Sequence, residues 1–249
     1  METLVIAFIV FCASALFSMI GLGGAIFYVP FFYWISGDFI YSVTIALLLN
    51  TITSGSAAIT YIRKKMVDFS ISIPFIIASM TGAQAGAYFT KFVPVDLLLV
   101  IFALLMFFVG EEMIFSRLEI TYREKQITGK IKYFIIIIGG LLIGAMSGML
   151  GIGGGTFIVP LLLIFGFSIK IAAASSGFIV LFTSISAFIA HAPSWEPEKN
   201  MVIAVVLASF IGAQLGSYLM HSRIKADTLQ KMFGVVLWIL AIRMLSGIF

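Results

Sequence analysis

Two short glycine runs carry the first chemical suggestion in this chain. Gly21-Leu22-Gly23-Gly24 lies near the start and Gly151-Ile152-Gly153-Gly154 in the middle, and each is followed by a Val-Pro pair, Val29-Pro30 and Val159-Pro160. Glycine adopts unusual backbone dihedrals without a side-chain penalty, so each run is a place where a helix can break. A helix that starts just after such a break points its free N–H groups and the positive end of its dipole back at the break. Two such helix heads brought together would make a seat for an anion. The competing role is tight helix crossing, which also asks for small residues. Pro30 and Pro160, each lacking a backbone donor, are expected to act as structural hinges.

Further polar groups sit in otherwise apolar stretches. Asn50, Thr53 and Ser54 form one stripe, and Ser175, Ser176, Thr183 and Ser184 form another. Gln84 lies in Gly82-Ala83-Gln84-Ala85-Gly86, and Gln214 in Gly212-Ala213-Gln214-Leu215-Gly216. The candidate substrate contacts are therefore Gly21, Gly23, Gly24, Asn50, Ser54, Gln84, Gly151, Gly153, Gly154, Ser176, Ser184 and Gln214. Each has a structural alternative. A helical Ser or Thr often bonds the carbonyl of the preceding turn, and a Gln beside a Gly-x-x-x-Gly pair can simply bond across a helix interface.

Other chemistries lack their residues. No Asp or Glu falls in the middle of an apolar run, so a midplane carboxylate relay is missing. Asp96 and Asp227 fall at expected helix starts, where carboxylates cap, and His191 and His221 fall at run ends, an interfacial rather than a ligand position. There is no metal-ligand spacing and no cofactor motif. Neither glycine run follows a strand or ends in Gly-Lys-Ser/Thr, which excludes nucleotide binding. Ala145-Met146-Ser147-Gly148 only approximates a membrane serine-protease motif. The chain is not expected to be an enzyme.

The elements that must position these groups follow from composition. The 249 residues are 61% hydrophobic and 10% charged, with mean hydropathy +1.17. Soluble domains average about 45–50% apolar and about 25% charged residues, so this chain cannot cover itself in water. It has room for about eight to ten membrane crossings of about 20 residues each. The apolar runs are continuous rather than alternating, which argues for helices over a β-barrel. The net charge of +4 comes from clusters between runs, such as Arg63-Lys64-Lys65, and reads as a record of membrane topology rather than a nucleic-acid surface. The lone Cys12 excludes an intramolecular disulfide. The N-terminal run Leu4–Cys12 resembles a signal peptide but lacks a basic leader, and it is expected to be retained.

The chain reads as a duplication. Gly21 returns as Gly151 and Gly82 as Gly212, both 130 residues on, and Thr53-Ser54 returns as Thr183-Ser184 at the same spacing. The equivalence fails at Asn50, which is matched by Val180. Residues 1–115 form one half, 116–130 a polar linker and 131–249 the second half. The expected architecture is all-α and polytopic, each half holding four long helices and one Gly/Pro-broken or re-entrant segment. The five apolar segments of each half cover about 3–20, 21–36, 39–61, 70–90 and 95–115, then 131–150, 151–166, 171–191, 200–220 and 227–248.

If the glycine segments cross, the halves are inverted. Arg63, Lys64, Lys65, Arg117, Arg123, Lys125, Lys130, Lys132, Lys170, Arg223 and Lys225 then share one side, against Lys91 and Lys199. If they do not cross, the halves are parallel and the segregation is weaker. Equivalent loops also swap charge: Arg63-Lys64-Lys65 faces Glu196 and Glu198 in the repeat register. Both points favour inverted repeats with a cytoplasmic linker and outside termini.

The paired Gly-x-Gly-Gly…Val-Pro motifs, the run from Asn50 through Ser54 to Tyr61 and the Gly-Ala-Gln-x-Gly repeats resemble the TauE/SafE family of sulfite and organosulfonate exporters, over nearly the whole chain. The resemblance implies a transporter of small, often sulfur-containing anions in a bacterial or archaeal cytoplasmic membrane. It also implies core positions at Gly21, Gly23, Gly24, Pro30, Asn50, Ser54, Gly151, Gly153, Gly154, Pro160, Ser176 and Ser184. One departure is Ile45-Ala46, apolar where many relatives carry a polar pair and where the second half keeps Ser175-Ser176. The expected activity is export of sulfite or a related anion by alternating access. A passive anion channel and a non-transporting assembly subunit are the alternatives. The expected partners are the small anion and the lipid bilayer, with no nucleic acid, metal or cofactor. A homo-oligomer is compatible with the same features.

Overall fold

The computed structural model describes residues 2–20, 23–115, 130–195, 198–219 and 226–246. Gly21, nearly all of the 116–130 linker, Glu196, His221, Arg223 and Lys225 lie outside these residues. Ten α-helices and one 3-10 turn (Ala192–Ser194) make up the secondary structure among the described residues. The first half contains α1 (Glu2–Ile20), α2 (Ala25–Ser36), α3 (Phe39–Arg63), α4 (Phe69–Thr90) and α5 (Val95–Phe115). The second contains α6 (Lys130–Leu150), α7 (Gly155–Ile164), α8 (Ile169–His191), α9 (Lys199–Leu219) and α10 (Ala226–Ser246). The segment pattern expected from the sequence is reproduced in both halves.

Five of these helices, within α3, α4, α6, α8 and α9, are long and apolar enough to cross a membrane among the described residues. The protein is polarised inside-out relative to a soluble one. Large apolar side chains such as Phe134 and Leu142 on α6, and Ile203 and Leu207 on α9, are exposed, while Ser14, Asn50, Thr53, Ser79, Thr183, Ser184 and Ser209 are fully buried. An apolar solvent outside and mutually bonded polar groups inside is the arrangement that hydrocarbon requires.

Two helix starts, those of α3 and α4, are capped by the aspartate that precedes them. Asp38 accepts from the Tyr41 N–H at 3.1 Å, and Asp68 from the Ser70 and Ile71 N–H groups at 2.9 and 3.3 Å. Asp96, expected to cap, instead lies inside the first turn of α5. The helices α2 and α7 start at Gly24 and Gly154, with no capping hydrogen bond from those residues. At about 1.5 Å per residue, both are only about half the hydrocarbon thickness.

Packing directions are readable from paired contacts. Asn50 meets Ser184, Gly55 faces Leu181, and Tyr61 clusters with Ala174, so α3 and α8 run antiparallel. Gly110 faces Gly234 while Phe107 stacks on Trp238 at 4.9 Å, so α5 and α10 are antiparallel too. By contrast α4 lies parallel to α6, with Ser79 against Gly144 and Ala83 against Gly148, and α1 lies parallel to α9, with Phe11 against Gly212 and Ala15 against Gly216. At these glycines any Cβ would overlap the neighbouring backbone. Small residues thus set helix spacing, as expected where lipid removes the hydrophobic drive between helices.

Candidate functional site

Asn50 lies midway along α3 and is fully buried. Its Oδ1 accepts from the Ala25 N–H at the head of α2 at 3.1 Å, and its Nδ2 donates to Ser184 Oγ on α8 at 2.7 Å. These partners fix the amide orientation, because only the oxygen can accept from a backbone N–H. The helix head that lacks a cap from its own glycine is thus capped from another helix.

Both glycine breaks close on this one amide. Gly23 has φ +88° and Gly153 has φ +77°, a left-handed region that favours glycine. A Cβ on Gly23 would overlap Asn50 Oδ1, and one on Gly153 would overlap Asn50 Nδ2 and come within 3.2 Å of Ser184 Oγ. The two breaks, 130 residues apart in sequence, therefore touch opposite ends of the same side chain. Gly151 and Gly154 also hold positive φ, and Ser176 Oγ lies 3.5 Å from the Gly155 carbonyl it donates to.

A shell of neutral hydroxyls surrounds this crossing. The Tyr28 hydroxyl lies 2.6 Å from Ser14 Oγ and 3.3 Å from Thr53 Oγ1, which is itself 2.8 Å from Ser209 Oγ. The repeat-equivalent pair Ser79 and Thr183 meets at 2.7 Å on the other side. None of these side chains is charged in the ordinary pH range, so the crossing presents dipoles rather than ions.

The glutamines bond across helix interfaces. Gln84 Nε2 donates to the Ser186 carbonyl at 2.6 Å and to Ser186 Oγ at 3.0 Å, and Gln214 Nε2 donates to the Ser56 carbonyl at 3.3 Å. Ser56 and Ser186 are themselves repeat equivalents, so the two glutamines form matched clamps between α4 and α8 and between α9 and α3. Pro30 and Pro160 lie inside α2 and α7 rather than at the breaks. His191, at the end of α8, is buried, with Nε2 2.8 Å from the Gly148 carbonyl. It pins the end of α8 to α6. No group of three or more His, Cys, Asp or Glu side chains suited to a metal forms among the described residues.

Sequence reasoning missed Thr156 and Ser147. Both are buried, and neither hydroxyl has a hydrogen-bond partner among the described residues; Ser54 Oγ is a third. The available signal was asymmetry between the halves, since their counterparts are Ile26 and Phe17.

The ends of the α3/α8 pair differ in charge. Lys64, Lys65 and Lys170 line one surface hollow where α3 ends and α8 begins. At the opposite end, Trp195 packs against Tyr41 at 6.5 Å, near Asp38 and the exposed Glu198.

The sulfite exporter TauE/SafE family model matches residues 6–244, which takes in both glycine breaks and every helix that meets them. The chain belongs to the sulfite exporter TauE/SafE family. It is thus a multi-pass membrane protein of a transporter family and not an enzyme. It is 27% identical to the probable membrane transporter protein YunE of Bacillus subtilis, over 95% of each chain. A probable membrane transporter protein of Haemophilus influenzae is 33% identical over 58% of this chain and 57% of its own. The sulfite exporter TauE/SafE family protein 1 of Arabidopsis thaliana is 30% identical over 38% of this chain and 21% of its own. No solved structure matches this TauE/SafE family member.

Proposed function

We propose that this transporter exports a small oxyanion, sulfite or a related sulfur-containing or organosulfonate anion, across the cytoplasmic membrane by alternating access of two inverted halves. The observation that carries the reading is the meeting of both glycine breaks, and of the α2 head behind the first, at Asn50 and Ser184. Helix heads inside hydrocarbon favour negative charge, and broken backbone at that depth is tolerated where it lines a substrate path. Substrate class comes from the family description and from one relative named as a sulfite exporter TauE/SafE family protein.

Inversion is supported by the antiparallel run of equivalent helices, α3 with α8 and α5 with α10. Equivalent helices would run parallel if the halves were related by an axis along the membrane normal. Orientation is supported by the basic end at Lys64, Lys65 and Lys170, which fits the cytoplasmic side. The 116–130 linker falls on the same side in this arrangement. The Gly23 and Gly153 breaks, with Asn50 and Ser184, form the core of the site, Ser54 and Ser176 flank it, and Gln84 and Gln214 hold the helices around it.

The test is sulfite movement through the full chain in proteoliposomes, with and without a proton or voltage gradient. Concentration of sulfite against its gradient is the expected result. Flux that only dissipates the gradient would favour a passive channel, and no flux of sulfite, thiosulfate or sulfoacetate would remove the exporter reading.

A further inference from the structure

The halves match in backbone but not in the polar groups at the crossing. In the first half Asn50 joins the Ala25 N–H to Ser184 Oγ. The counterparts of those two groups, 130 residues away in each case, are the Gly155 N–H and Ser54 Oγ. The residue that would join them is Val180, fully buried and apolar, with nothing to offer either. Ser54 Oγ is accordingly buried, 2% exposed, and without a hydrogen-bond partner among the described residues.

The same imbalance flanks the second glycine break. Thr156 is the second residue of α7, 7% exposed, and Ser147, in the last turn of α6, is 1% exposed; neither hydroxyl has a hydrogen-bond partner among the described residues. Their first-half counterparts are the buried apolar residues Ile26 and Phe17. Side chains in a helix tilt toward its N-terminus, which carries the Thr156 hydroxyl toward the head of α7. A buried hydroxyl without a partner costs about 1–3 kcal/mol in a folded protein, so Thr156 beside the second break in sequence, and Ser54 at the repeat position of Ser184, call for an explanation.

Resting on the anion-export reading above, we infer that the second half alone holds the anion: an oxyanion at the head of α7 accepts from the Gly155 N–H, Thr156 Oγ1 and Ser54 Oγ, taking the place that the Asn50 amide fills in the first half. Each of these groups can donate, and the positive end of the helix dipole disfavours a cation in the same place. A sulfite ion or a sulfonate head presents three oxygens, one for each donor. The seat is therefore single rather than one per repeat, and Asn50 is a built-in occupant of the other position.

The substitution Val180→Asn supplies the second half with the same amide. It is expected to raise the thermal unfolding midpoint and to lower sulfite affinity and efflux more than tenfold. Thr156→Val and Ser54→Ala each remove one donor, and loss of a hydrogen bond to a charged group corresponds to about ten- to a hundredfold in affinity. Thr156→Ser keeps the donor and keeps the affinity. Sulfite binding by calorimetry on the full chain in detergent and efflux from proteoliposomes are the readouts. Wild-type transport together with wild-type affinity in Val180→Asn and Thr156→Val would overturn the one-sided seat and leave the exporter reading standing. Wild-type protein that neither binds nor moves any of the sulfur oxyanions overturns both.

Discussion

Replacing Gly153 by alanine tests whether the two glycine breaks really share one amide. Two costs are expected, and the structure separates them. Placing a Cβ at φ +77° puts an L-residue in the left-handed region, which costs about 1–2 kcal/mol. The same Cβ overlaps Asn50 Nδ2, so the amide must move and release Ser184 or the Ala25 N–H. Buried hydrogen bonds between membrane helices are worth about 0.6–2 kcal/mol each. The expected total is about 2–4 kcal/mol. Gly37→Ala is the internal control, because Gly37 also has positive φ, +69°, but no atom lies within 4 Å of its Cβ position. That change should cost the dihedral term alone. The assay is unfolding free energy from titration of folding detergent into SDS, paired with sulfite efflux from proteoliposomes. Gly153→Ala should lose efflux while Gly37→Ala keeps it. In an Asn50→Ala background the excess cost of Gly153→Ala should largely vanish, since the overlapping amide is gone. Equal costs for the two glycine changes, or a fully additive double variant, would refute the shared-amide geometry.

Three further outcomes follow from other parts of the structure. Gln84→Ala should destabilise by about 0.6–2 kcal/mol through loss of the Ser186 clamp, while the KM for sulfite stays at the wild-type value; a raised KM would return Gln84 to the substrate path. Gly86→Leu and Gly216→Leu should each abolish folded protein, read as loss of a monodisperse chromatography peak, because the side chains collide with backbone at Ala145 and Ala15. The triple change of Lys64, Lys65 and Lys170 to Gln should slow efflux at low ionic strength, with the deficit fading near 0.5 M salt; a deficit that salt leaves untouched would argue against electrostatic capture at that mouth.

Much of the fold was legible because membrane segments announce themselves by hydropathy and a duplication by a fixed offset. The interruptions at 23–24 and 151–154 were legible for the same reason, since glycine clusters stand out in apolar runs. The site was only partly legible. Asn50 and Ser184 could be named as polar, but nothing local joins residues 134 positions apart. The glutamines show the converse: their setting in Gly-x-x-x-Gly left substrate contact and helix clamping equally open, and the Ser56 and Ser186 carbonyls favour the clamp. His191 could be placed at a span end from the sequence, but its contact with the Gly148 carbonyl could not.

The sequence by itself determined the class of protein, the two copies of one unit, and the two places where backbone leaves the helix. Those are properties of composition and spacing along the chain, and they survive any particular packing. Only the tertiary structure decided that both breaks meet on a single amide, that equivalent helices run antiparallel, and that Ser54, Ser147 and Thr156 are left without partners among the described residues. Each depends on which helix faces are pressed together, and in a bilayer that is set by small-residue contacts and polar pairing between distant segments rather than by hydropathy.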